Sequence, residues 1–184
     1  WLMYYTGATY GLTQQTGLAS SYDLFHWFRW AGSPLYHPGS WAIWNAGQWS
    51  NCRDPELFHE EGSSEWYLLN SVSVAPDSLG GISHAISTNL GPWTDLGAFF
   101  VNDSNKVLES VQLVKRGDYY HLFFTEEGEQ LISHISSPSF TGGWSKANRT
   151  YIDEGHACEI TSIPGEPELW SLHSGLELID GPRF

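Results

Sequence analysis

Val107-Leu-Glu-Ser-Val-Gln-Leu-Val-Lys-Arg-Gly-Asp-Tyr-Tyr-His-Leu-Phe-Phe-Thr125 is two apolar runs joined by Lys115-Arg116-Gly117-Asp118. A glycine-acid turn between β-branched and aromatic runs predicts a β-hairpin whose second strand is strongly aromatic. Glu109 does not fit the pattern. It opens the first strand, where the surrounding apolar residues call for burial, and a buried carboxylate must be paired, protonated or at work chemically. A solvated strand-end glutamate is the alternative.

The same phrase recurs along the chain. A complete copy has an apolar strand opening on a polar residue, a Gly-containing turn, an aromatic strand, a Ser-rich alternating strand and a Trp. The second copy runs Asp54-Pro-Glu-Leu-Phe58, Trp66-Tyr-Leu-Leu69, Ile82-Ser-His-Ala-Ile-Ser87 and Trp93. The third runs Glu109 to Val114, Tyr119 to Phe124, Leu131-Ile-Ser-His-Ile-Ser136 and Trp144. The first starts directly on its aromatic strand, Trp1-Leu-Met-Tyr-Tyr-Thr6, and continues through Gly17-Leu-Ala-Ser-Ser21 to Trp27; its opening strand is absent. The fourth begins at His156-Ala-Cys-Glu-Ile160, gives Leu169-Trp-Ser-Leu172 and ends near Phe184. A repeat of about fifty residues made of four short strands predicts the blade of a β-propeller. The expected fold is therefore all-β, a single partial propeller domain of three to four blades, with blades near 1–51, 52–105, 106–154 and 155–184. Between Trp27 and Cys52 the pattern is irregular, and Trp30, Trp41, Trp44 and Trp49 mark a long loop able to form a lid or an aromatic wall.

Composition narrows the partners. Eight Lys+Arg against 21 Asp+Glu give a formal charge of -13, which opposes binding to nucleic acid or to anionic lipid. No apolar run reaches the length of a membrane span. Aromatic residues make up 15% of the chain, ten of them Trp, a content that suits a β protein stacking its rings on sugars. The sequons Asn102-Asp-Ser104 and Asn148-Arg-Thr150 point to an exported protein, extracellular or periplasmic. Cys52 and Cys158 open strands of non-adjacent blades and are expected to be free thiols.

In a propeller the first strands of the blades surround one axis, so their opening residues converge. The openers are Arg53-Asp54, Glu109 and Gly155-His156. Two carboxylates in an aromatic surrounding are what glycosidic bond cleavage requires, one protonating the leaving oxygen while the other acts as base, nucleophile or electrostatic support. Asp54 and Glu109 are accordingly expected within roughly 5–10 Å of each other. Glu56 and Glu159 are held in reserve.

These motifs resemble the five-bladed propeller glycoside hydrolases of families 43 and 32. Cys-Arg-Asp-Pro-Glu-Leu, with Asp54, is similar to the element whose Asp tunes the acid or stabilises the transition state. Leu-Glu-Ser-Val-Gln-Leu-Val-Lys-Arg-Gly-Asp-Tyr-Tyr-His-Leu-Phe, with Glu109, resembles the general-acid strand. Ser21-Tyr-Asp-Leu-Phe-His-Trp27 looks like the families' outer-strand phrase, and Gly155-His156 is similar to a Gly-His whose histidine in some members contacts a central cation. The resemblance implies hydrolysis of arabinoside-, xyloside- or fructoside-like glycans with Glu109 and Asp54 as catalytic residues. It implies substrate contacts from Arg53, His156, Trp41, Trp44 and Trp49, and no required cofactor beyond a central calcium or sodium ion near His156. These families take a third carboxylate from the first strand of the first blade, which this chain does not match. Further polypeptide completing the propeller is therefore expected, and this chain alone is expected to be inactive. A propeller that binds carbohydrate without catalysis, or serves as a structural module, is the alternative.

Overall fold

Thirteen β-strands make up the regular structure of the described residues, with one short 3₁₀ turn at Lys146–Asn148. The structure, a computed structural model, describes residues 1–9, 12–129, 131–161 and 169–173. The tail of the fourth repeat beyond residue 173 lies outside them. Two compact units divide the chain, Trp1–Val107 and Leu108–Phe184.

In the first unit, β1 (Leu2–Ala8), β2 (Gln14–Ser20) and β3 (Phe28–Arg29) form a three-stranded sheet in that order. The next four strands form a complete antiparallel meander: β4 (Cys52–His59), β5 (Trp66–Val74), β6 (Leu79–Ser87) and β7 (Thr94–Val101). Tyr36, Cys52, Leu68 and Ala85 form a buried cluster, against which Tyr4, Trp44, Leu57 and Trp93 pack. Alternation explains the choice of residues. On a strand every second side chain faces the same way, and Cys52 and Leu57 of β4, Leu68 of β5 and Ala85 of β6 reach this cluster from one side of the sheet.

The second unit repeats the meander with β8 (Leu108–Arg116), β9 (Tyr119–Glu126), β10 (Leu131–Ser137) and β11 (Thr150–Glu154). A two-stranded sheet of β12 (His156–Thr161) and β13 (Leu169–His173) follows. Arg116 pairs directly with Tyr119, so the predicted hairpin closes on two residues, and Gly117 takes φ 55°, the left-handed conformation that such a turn needs. Phe123, Ile132 and Cys158 are the buried centre, with Val114 and Ile160 against them.

Serine marks the end of the third strand in the first three repeats for a local reason. The Ser21 hydroxyl accepts from the N–H groups of Asp23 and Leu24, that of Ser87 from Asn89 and Gly91, and that of Ser137 from Ser139. Each turn thereby finds an acceptor for donors the sheet has released. In the Ser21–Trp27 phrase Asp23 completes the lock. Hydrogen bonds from the His26 backbone, the His26 ring and the Phe25 backbone hold its carboxyl well below the usual range. The Trp27 indole then donates to the carbonyl of Leu24. This phrase is a turn-building device, with the Asp23 carboxylate and the Ser21 hydroxyl both engaged within it.

Residues 30–51 are fastened in place. The Thr16 N–H donates to the Tyr36 carbonyl and the Thr16 carbonyl accepts from the Leu35 N–H, and Ala42 bridges to Val74. Asp95 on β7 gathers four donors: the Trp41 indole at 2.8 Å, the Gly39 N–H at 2.8 Å, the Tyr36 hydroxyl at 3.0 Å and the Gly97 N–H at 3.1 Å. Burial works to raise the pKa of Asp95, but the donors led by Trp41 outweigh it and hold the carboxyl low. A lowered carboxyl contributes its stabilisation fully above its unfolded value near about 3.9 and loses it as the pH falls through the folded value. The segment is therefore expected to resist limited proteolysis from about pH 5 to 8 and to open below about pH 4. Asp95→Ala should open it at neutral pH. Equal cleavage rates for both proteins at pH 7 would contradict this role.

Candidate active site

The first strand of each full sheet and of the last hairpin carries the same irregularity. From Arg53 to Glu56, three steps along β4, the partner strand advances two, from Ser71 to Leu69. Glu109 to Gln112 on β8 spans Thr125 to Phe123, and His156 to Glu159 on β12 spans His173 to Ser171. Each is a β-bulge with one extra residue. At each, the residue after the first is non-glycine with positive φ: Asp54 at 54°, Ser110 at 52° and Ala157 at 59°. Such backbone is costly for side chains other than glycine and collects at sites where a group must be aimed. The bulges also end the strict alternation by which Glu56 would share the face of Asp54, so spacing alone no longer relates the two.

Around Asp54 the first unit builds a relay. The Asn51 amide donates to the Ser73 hydroxyl at 2.8 Å, and Arg53 Nη1 donates to Asn51 Oδ1 at 2.9 Å. The turned guanidinium then places its Nε 3.8 Å from Asp54 Oδ2. On the other side the Asp54 N–H donates to Thr6 Oγ1 on β1 at 3.0 Å. Arg53 is thus tied to its neighbour and mostly buried. Asn51 and Thr6 were not legible as part of the site. Asn51 carried only a weak signal, its place two residues before Arg53.

In the second unit Glu109 and His156 meet, with Oε2 3.8 Å from Nε2. The distance is that of an ion pair when the ring is protonated, and too long for a direct hydrogen bond. The Gln112 side chain, one bulge-length further along β8, accepts from the Ile160 N–H at 3.3 Å and joins β8 to β12. Among the described residues no set of three or more His, Cys, Asp or Glu side chains gathers to hold a metal ion. His156 therefore offers a cation one imidazole beside Glu109.

The tryptophans divide by what their indole N–H groups do. Trp41 donates to Asp95 and Trp44 to the carbonyl of Gln14 at 2.7 Å, with Trp44 also stacked on His37 at 4.0 Å between ring centroids. Both belong to the fastened wall. Trp49 is 58% exposed and presents its ring to solvent. Cys52 and Cys158 are buried free thiols, each pushed up to about 12 by burial.

No family model matches the chain. Over 76 residues it is 30% identical to a probable arabinan endo-1,5-alpha-L-arabinosidase C of Aspergillus terreus, a stretch covering 40% of this chain and 21% of that protein. Solved structures align over far more. A GH32 beta-fructofuranosidase of Bombyx mori matches 92% of the chain and 39% of its own length at a TM-score of 0.69 and 17% identity. A thermostable family-43 glycoside hydrolase matches 99% of the chain and 64% of its own at a TM-score of 0.71 and 14% identity. The fold is that of the propeller glycoside hydrolases. Fructan 1-exohydrolase IIa from Cichorium intybus aligns likewise, at a TM-score of 0.69 and 15% identity over 92% of the chain and 36% of that enzyme. The chain spans about a fifth of the curated relative and under two thirds of each of these propeller enzymes. In their terms β4–β7 and β8–β11 are propeller blades, each opening on a bulged first strand.

Proposed function

We propose that this chain belongs to a glycoside hydrolase in which Glu109 is the general acid and Asp54 the carboxylate that supports the transition state. One observation carries the reading. Two carboxylates stand at the same kind of backbone kink, on the first strands of successive four-stranded blades, in a fold shared with enzymes that cleave glycosidic bonds.

Glu109 protonates the glycosidic oxygen as the bond to the anomeric carbon lengthens. His156, at 3.8 Å, lies beside the carboxyl and contacts either it or a sugar hydroxyl. Asp54 faces the positive charge that grows on the sugar ring, with Arg53 fixing the orientation of its carboxylate. Hydrolysis also requires a group that activates water or attacks the anomeric carbon, and no residue of this chain is assigned that role. Trp49 offers a stacking face to a pyranose or furanose ring, while the indole N–H groups of Trp41 and Trp44 are spent on Asp95 and the Gln14 carbonyl. Arabinan-type glycans head the substrate class because the curated relative is named for arabinan, with xylosides and fructosides next.

The test is a panel of α-arabinosides, β-xylosides and fructosides incubated with the intact protein, with the product anomer followed by NMR. Release of one sugar class, with a single initial anomer, is expected. Binding of glycans without hydrolysis of any of them would replace the catalytic reading with that of a carbohydrate-binding propeller.

A further inference from the structure

We propose that Thr6 is a positioning residue for Asp54, holding its backbone in the kinked conformation through the Thr6 Oγ1 acceptor. The inference rests on the reading of Asp54 as a catalytic residue and goes beyond it by naming what aims that carboxylate.

Between the paired residues Arg53 and Glu56 the bulge leaves Asp54 and Pro55 out of the β4–β5 ladder. Proline has no N–H. The Asp54 N–H is therefore the one backbone donor of these two residues, and it needs an acceptor. Thr6 Oγ1 supplies one at 3.0 Å from another sheet, 48 residues away in sequence. The φ of 54° at Asp54 is a conformation that L-residues leave readily unless their surroundings hold it. A bond to the peptide N–H fixes the plane of the Arg53–Asp54 peptide on one side of the kink, and the pairing of Glu56 with Leu69 holds the chain on the other, so the carboxylate between them departs in a set direction. The relay from Asn51 through Arg53 acts on the carboxylate itself. Thr6 acts on the backbone behind it.

The seat of Thr6 is firm. Thr6 pairs with Thr16 across β1 and β2, and the Thr16 hydroxyl donates to Asn70 Oδ1 of β5 at 2.6 Å in a fully buried contact. The two opposed threonines thus tie the first sheet to the second at β4 and at β5. The sheet that carries the acceptor facing Asp54 is held to the second sheet by a buried hydrogen bond. Threonine suits the task because its β-branch restricts χ1 in a strand and keeps Oγ1 in one place.

Steady-state kinetics on the intact protein test the assignment with four variants: Thr6→Val, Thr6→Ser, Asp54→Asn and the double variant T6V/D54N. Thr6→Val keeps the shape and removes the acceptor, so kcat is expected to fall about tenfold with KM within about twofold, because a small misplacement of a reacting group costs rate before it costs binding. Thr6→Ser restores an acceptor and is expected within about twofold of the parent. If Thr6 works only through Asp54, T6V/D54N is no slower than Asp54→Asn, whereas an independent structural role makes the losses multiply. Should Thr6→Val fail to fold, Thr6→Cys, with a weak sulfur acceptor, replaces it; its kcat is expected below that of Thr6→Ser, and a parent-like value counts against the role as it would for Thr6→Val. Parent-like kcat in Thr6→Val, or equal losses in the Val and Ser variants, overturns the positioning role while a slow Asp54→Asn leaves the catalytic reading standing. A parent-like Asp54→Asn removes that reading, and the positioning role falls with it.

Discussion

Glu109→Gln is expected to lower turnover of the intact protein by about 10²-fold or more on glycosides with poor leaving groups, the range in which a positioned acid acts. The amide has the shape of the acid and can still contact His156 Nε2, the group 3.8 Å from Glu109 Oε2. It has no proton to give. The loss should therefore depend on the leaving group. A dinitrophenolate departs without protonation, so on dinitrophenyl glycosides the variant should approach the parent, while on an alkyl glycoside or an oligosaccharide it should not. Equal losses on both substrates would mean that Glu109 binds or shapes the site without acting as the acid, and no loss on either would remove it from the chemistry.

The second large effect concerns stability of the second unit. Glu126, at the end of β9, has a side chain only 4% exposed, and Arg149 at the start of β11 meets it with a side chain 12% exposed. Lys146 lies 3.4 Å from the same carboxylate. Arg149 also contacts the Tyr151 hydroxyl and sits over that ring at 4.7 Å from the centroid. Removing one partner of a buried pair leaves a charge without compensation and costs about 3–5 kcal/mol. Because Lys146 remains, Arg149→Leu is expected near the lower end of that range, measured by urea unfolding followed through tryptophan fluorescence. Adding Glu126→Leu to it should recover most of the loss, since the stranded carboxylate is then gone. A double variant less stable than Arg149→Leu would show that the pair was not the source of the effect.

The repeat was legible because Ser, Trp and the apolar runs return in one order, and each turned out to have a local cause. Ser21, Ser87 and Ser137 cap their turns, and the Trp27 and Trp144 indoles donate to carbonyls in the same turns. Asp54, Glu109 and His156 stood out as polar residues opening apolar strands. What sequence spacing could not supply was the kink. A strand read with a period of two is assumed to be unbroken, and only Pro55 hinted otherwise, since proline inside a strand is confined to edges, first positions and bulges. Nothing comparable marks Ser110 or Ala157. Thr6 was invisible for another reason, since its partner is 48 residues distant and no local pattern encodes such a contact. The aromatic loop is recognisable by composition, but the carboxylate that binds Gly39 and Trp41 belongs to Asp95, more than fifty residues on in the second repeat.

The left-handed residue that follows the first residue of each kink has a wider consequence. Aspartate, serine and alanine all occupy that place at nearly the same φ, so the angle does not depend on which side chain stands there. The kink works as a socket, and what is plugged into it is free to change. Positions 53–54, 109–110 and 156–157 can therefore be randomised together with little loss of sheet pairing, and new reactivity can be sought at three sockets on a backbone that already points each occupant.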